Sequence, residues 1–166
     1  MPGNALLPRA VFEQFGPYDE AFRAYGSEDL DLGWRLEKAG VAFVYAPEAV
    51  GVHVHWKDYR SHLRDQHSAG RALAALARKH PEIAALKEVD VVTGSLSRLP
   101  PRKAVRRAAF LALRAAPFLV RLLEAALDRL QNAYSLRRAL YPAFRLTANF
   151  AYASGILAGF AEKGES

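Results

Sequence analysis

Residues 15–40 read FGPYDEAFRAYGSEDLDLGWRLEKAG, and three acids, Glu28, Asp29 and Asp31, open a stretch whose Leu32, Leu36 and Ala39 recur at helical spacing. Gly16 and Pro17 stop a short helix expected over residues 9–15, with Pro8 at its first turn. Ser27 reads as the N-cap of the second helix, and Gly40 stands just past its end. Acids in a first turn complement the positive end of the helix dipole, so a purely structural role is open to all three. The alternative is chemical. A loop bearing Tyr18, Phe22, Tyr25 and Gly26 would deliver paired carboxylates to a pocket, where one accepts a proton from an attacking hydroxyl.

Working outward, two strands are expected over residues 41–45 and 50–56, separated by a turn at Pro47 and Glu48. In the second, Val50, Val52 and Val54 alternate with Gly51, His53 and His55, which would put the valines on one face and both imidazoles on the other. A helix is expected from Asp58 to Lys79, punctuated by His80 and Pro81, with His62 and His67 as surface residues. Strands between helices make the chain α/β. A further helical zone over residues 102–130 repeats arginine every seven residues, at Arg107, Arg114 and Arg121, beside an apolar surface that includes Phe110, Phe118 and Leu122. Pro117 should kink or restart it. Trp34 reads as a packing residue, Arg35 as an ion-pair partner for a nearby acid, and Asp19 as a turn-former.

Charge divides the chain more sharply than pattern does. Residues 1–97 carry 11 Lys and Arg against 13 Asp and Glu, whereas residues 98–145 carry 11 basic residues against Glu124 and Asp128 alone. The stretch SLSRLPPR at 95–102 reads as a linker, giving a unit over 1–97 and a basic amphipathic helical region over 98–166. The basic block admits a nucleic-acid module, a soluble bundle with solvated arginines, or a region lying on an anionic membrane surface. It carries no nucleic-acid reader motif, so a membrane surface is the expected partner and nucleic acid is not. The stretch FAYASGILAGF at 150–160 would add apolar contact there. The longest uncharged run, 16 residues over 146–161, falls short of the roughly 20 a span requires. Zero Cys excludes disulfides, thiolate metal sites and Cys nucleophiles and fits a reducing compartment. Residues 1–15 lack the basic start and apolar run of a secretory signal.

Taken together, several runs resemble the second half of family 2 glycosyltransferases with the GT-A fold. They are Gly3-Asn4, Arg9, Phe12, Gly16-Pro17-Tyr18-Asp19-Glu20, Tyr25 to Leu32, Arg35-Leu36, Tyr45-Ala46-Pro47, Val52-His53 and Trp56. The likeness covers residues 1–79 and implies a partial GT-A fold with helices and a short mixed sheet. It also implies an inverting transfer of a sugar from a nucleotide-diphosphate donor to a saccharide or lipid-linked acceptor, in cell-surface polysaccharide or glycolipid synthesis.

By the same resemblance, Asp29 is the general base and Glu28 orients the acceptor. Tyr25, Gly26, Asp31 and Trp56 contact substrate. His53, 24 positions after Asp29, is a ligand for a divalent metal, Mg or Mn, with His55 as its alternative. The place implied is cytoplasmic, peripheral at the inner face of the membrane. The family's nucleotide-binding half and its Asp-x-Asp motif have no counterpart before Glu28, so the chain is expected to be a fragment, inactive by itself, in preference to a subunit whose donor half is a separate polypeptide. The rival from another class is a non-catalytic, membrane-associated helical adaptor whose acidic run merely starts a helix.

Overall fold

A computed structural model of the 166-residue chain describes residues 5–22, 26–54 and 57–162. Among the described residues eight α-helices follow one another: α1 Arg9–Phe15, α2 Glu28–Lys38, α3 Tyr59–Lys79, α4 Pro81–Leu86, α5 Asp90–Thr93, α6 Pro101–Ala115, α7 Pro117–Leu130 and α8 Arg137–Ala161. Short 3-10 turns at Leu96–Arg98 and Tyr134–Leu136 join the later ones.

Local chemistry accounts for most boundaries. Gly16, at φ 80°, ends α1 in a backbone conformation that side-chain-bearing residues avoid. Asp58 caps α3, its carboxylate accepting the Ser61 N–H at 2.7 Å. Pro81, Pro101 and Pro117 each stand at the first turn of a helix, where a missing N–H costs nothing. Pro117 thereby divides the expected zone over 102–130 into α6 and α7. Ser27 differs from expectation. It lies in the left-handed region at φ 77°, and its hydroxyl makes no cap hydrogen bond.

The core is built by α3 and α8, which pack along much of their lengths. Gly70 of α3 and Gly155 and Gly159 of α8 make the approach possible. A Cβ on Gly70 would sit 2.1 Å from the Tyr152 carbonyl oxygen, and one on Gly155 would sit 2.0 Å from that of His67. Around this seam Leu73, Leu76 and Ala77 of α3 meet Ile83 of α4, Val92 of α5, Phe110 of α6, and Ala153 and Ile156 of α8. At the other end of the pair, the buried Tyr59 hydroxyl donates to Thr147 Oγ1 at 2.5 Å, and its ring meets Phe144 edge-on. The stretch over 150–160 thus has its apolar residues turned largely onto α3, leaving only Phe160 substantially exposed.

The expected α/β fold with a mixed sheet is not what forms. Regular structure is entirely helical, and among the described residues there is no strand or sheet. The segment over 42–54 is irregular and exposed throughout, with Val52 88% accessible. The physical reason is that alternation alone cannot make a strand. A strand needs a neighbour for its backbone ladder and a surface for its apolar face. The backbone bonds that form here are local ones, Val41 N–H to Leu36 O, Ala49 to Ala46 and Val50 to Glu48.

Candidate functional site

The acids of the first α2 turn do not share one environment. Asp31 is fully buried, its side chain 0% exposed, and both oxygens are engaged. Oδ2 accepts Arg35 Nε at 3.0 Å, and Oδ1 meets Lys79 Nζ at 2.7 Å and His80 Nε2 at 2.8 Å. Burial pushes the Asp31 carboxyl upward, but hydrogen bonds from Lys79, His80 and Arg35 outweigh it and hold the group below its ordinary value.

The same cations bind the neighbouring loop. Lys79 Nζ donates to Asp19 Oδ2 at 2.6 Å and stands over the Phe22 ring at 5.6 Å. Asp19 also accepts the Ala21 N–H at 2.9 Å, and its carboxyl lies below its ordinary value chiefly through Lys79. Arg35 donates to the carbonyls of Phe15 and Pro17, the latter at 2.7 Å. Asp31 is therefore the hub that locks α2, the Gly-Pro-Tyr-Asp turn and the end of α3 together. Its place in an acidic run gave no hint of the partners, since Lys79 and His80 are almost fifty residues away. Arg35 is the ion-pair partner its position suggested.

Glu28 and Asp29 stand at the start of the same turn, both partly accessible. Asp29 Oδ1 accepts the Leu30 N–H at 2.8 Å. Glu28 Oε2 is enclosed and has no hydrogen-bond partner among the described residues. Gly26 and Ser27 precede them with φ 97° and 77°, two successive left-handed residues that turn the chain sharply into the helix. Trp34, on the other side of α2, packs on the core and donates its indole N–H to Glu82 of α4 at 2.9 Å.

His53 lies on the exposed segment over 42–54. Tyr25, His55 and Trp56 fall outside the described residues. No group of three or more His, Asp or Glu side chains able to hold a metal occurs among the described residues. No described helix is long and apolar enough to cross a membrane. Elsewhere, Tyr59, Arg60, Leu63, Arg64, Arg121, Glu124 and Ala125 line a concavity of about 360 Å³. There burial raises the Glu124 carboxyl and Arg121 only partly opposes it.

With this geometry in view, the chain is similar to three curated enzymes over about half its length. It is 32% identical over 80 residues to validoxylamine A glucosyltransferase of Streptomyces hygroscopicus subsp. jinggangensis (48% of this chain, 18% of the relative). It is 33% identical over 83 residues to pre-mycofactocin glycosyltransferase of Mycobacterium tuberculosis (49% and 17%). It is 43% identical over 74 residues to N-acetylglucosaminyl-diphospho-decaprenol L-rhamnosyltransferase of the same organism (42% and 24%). The chain thus spans between about a sixth and a quarter of these relatives. No family model matches it, and no solved structure does. The relatives it resembles are glycosyltransferases.

Proposed function

We propose that residues up to Lys79 are the acceptor-side part of an inverting, family 2-like glycosyltransferase that moves a sugar from a nucleotide-diphosphate donor to a saccharide or lipid-linked hydroxyl. The observation that carries the reading is the division of labour within one helical turn. Asp31 is wholly engaged inside the fold, while Glu28 keeps a carboxylate oxygen without a partner among the described residues. A structural acid cluster would leave no such oxygen, because an enclosed, unsatisfied carboxylate oxygen is costly. The glycosyltransferase relatives supply the chemistry that such an oxygen suits.

In the proposed reaction Glu28 accepts a hydrogen bond from the acceptor and fixes its orientation. Asp29 takes the proton of the attacking hydroxyl as the oxygen bonds to the anomeric carbon. The bond from that carbon to the diphosphate breaks on the opposite face, and the nucleoside diphosphate leaves with the electron pair. Tyr25, Gly26 and Trp56 are the proposed acceptor walls. Donor binding is proposed to fall to residues outside the matched segment, since the similar enzymes are several times longer than it.

The test is made on the full-length protein, with nucleoside diphosphate release and product mass measured across a panel of nucleotide sugars. Asp29→Asn is expected to lower kcat by about 10²–10⁴-fold with an unchanged melting temperature. Glu28→Gln should act mainly on the acceptor KM. Wild-type turnover in Asp29→Asn overturns the assignment.

A further inference from the structure

We propose that the outward face of α7 is a docking face for an anionic lipid bilayer. At 100° per residue, Phe118, Leu122, Ala126 and Arg129 fall on one side of the helix with Leu119 and Leu130 at its margin. All six are exposed, Phe118 by 74%, Leu119 by 61% and Leu122 by 57%. The opposite side is already occupied, with Val120 and Leu127 buried against the rest of the molecule. The helix is therefore apolar on two faces, and only one of them has a protein partner among the described residues.

Charge selects the occupant. Residues 98–145 hold 11 basic side chains against two acids, and neither acid offsets this face. Asp128 is held by Arg60 at 2.7 Å, and Glu124 is a partly buried group whose carboxyl is raised by desolvation. Lys103 and Arg106 are taken up by Asp90 and Glu88. Arg114, just before the helix, and Arg129, on it, are exposed and form no ion pair among the described residues; Arg121 is exposed on the flank. Bulky apolar side chains rimmed by arginine are complementary to acyl chains beneath anionic headgroups. A second copy of the chain would bring the same cations together, and a nucleic acid would leave Phe118, Leu119 and Leu122 in water. The proposal is independent of sugar transfer.

The experiment is co-sedimentation of the 166-residue chain with vesicles of phosphatidylcholine alone and of phosphatidylcholine with 30% phosphatidylglycerol. Binding is expected only to the anionic vesicles, weakening as salt rises. Leu119→Ser with Leu122→Ser should weaken it at least tenfold. Arg121→Gln with Arg129→Gln should weaken it by about 30-fold. All four positions are exposed, and an unchanged helical circular dichroism spectrum shows that each variant folds. Equal binding to neutral vesicles, no vesicle binding, or binding indifferent to both pairs of substitutions overturns the proposal. So does a dimer seen by light scattering that the Leu119 and Leu122 changes dissolve.

Discussion

Lys79 Nζ lies 2.7 Å from Asp31 Oδ1, joining the last turn of α3 to the first turn of α2 across 48 residues of sequence. Lys79 is the more accessible partner and Asp31 is wholly enclosed, so the two ends of this bond are not equal in energy. Removing the buried acid strands Lys79, His80 and Arg35 around a neutral or empty space. Asp31→Ala is expected to cost about 2–3 kcal/mol, against about 1 kcal/mol or less for Lys79→Ala. Urea unfolding of the two variants measures the difference, and equal midpoints would remove Asp31 from its role as hub.

Acid should loosen the molecule through identifiable groups. Asp19 and Asp31 are held below their ordinary values, and Glu82 is brought from 4.5 to about 2 by Lys38 first, then by its own N–H and the Trp34 indole. Each binds its proton less readily folded than unfolded, so its contribution is complete above the ordinary carboxylate range and is lost as pH falls through the lowered value. These three groups should therefore lower the melting temperature steadily from about pH 5 toward pH 2 and leave it unchanged above that range. Glu82→Gln should make that fall shallower. Glu124 has the opposite sign: its raised carboxyl favours the folded state less as pH climbs, so Glu124→Gln should help at pH 7 more than at pH 4.

The helix seam offers a test with its own control. Gly155→Ala sets a methyl group 2.0 Å from the His67 carbonyl oxygen, and backbone on backbone has nowhere to turn. It is expected to cost about 3 kcal/mol, at the top of the overpacking range. At Gly33 of α2 an added Cβ meets nothing within 4 Å, so Gly33→Ala should be neutral or gain up to about 1 kcal/mol from helix propensity. Thermal melts of the pair separate crowding from propensity.

Tyr59 divides into ring and hydroxyl. Tyr59→Phe removes the bond to Thr147, whose Oγ1 still donates to the carbonyls of Ala143 or Phe144, and should cost about 1 kcal/mol. Tyr59→Ala also empties the place beside Phe144 and should cost about 3–5 kcal/mol.

Helices α1, α2, α3, α6 and α7 were legible in the sequence because their ends are written locally, whereas α4 and α5 were not read from it. Gly16, Asp58, Pro81 and Pro117 act on backbone within a turn of themselves. The expected strands failed because Val50, Val52 and Val54 encode a preference for a pleated, half-covered surface and cannot supply that surface themselves. Substituting these three with Thr should accordingly shift the stability of this chain by less than about 0.5 kcal/mol. In the acidic run, spacing alone could not tell Asp31 from Glu28 and Asp29. The distinction comes from Lys79 and His80, which reach α2 only once α3 has folded. Glycines 155 and 159 carry no sign of a contact in the sequence, and become contact points only when Gly70, eighty-five residues before the first of them, is seen opposite.

The glycine seam makes the first half of the chain depend on the second. Leu73 and Leu76 of α3 owe their shelter in part to Ala153 and Ile156 of α8. A version trimmed after Lys79 would uncover that surface and, with it, loosen the grip of Lys79 on Asp31. The acidic turn of α2 is thus kept in shape from the far end of the chain.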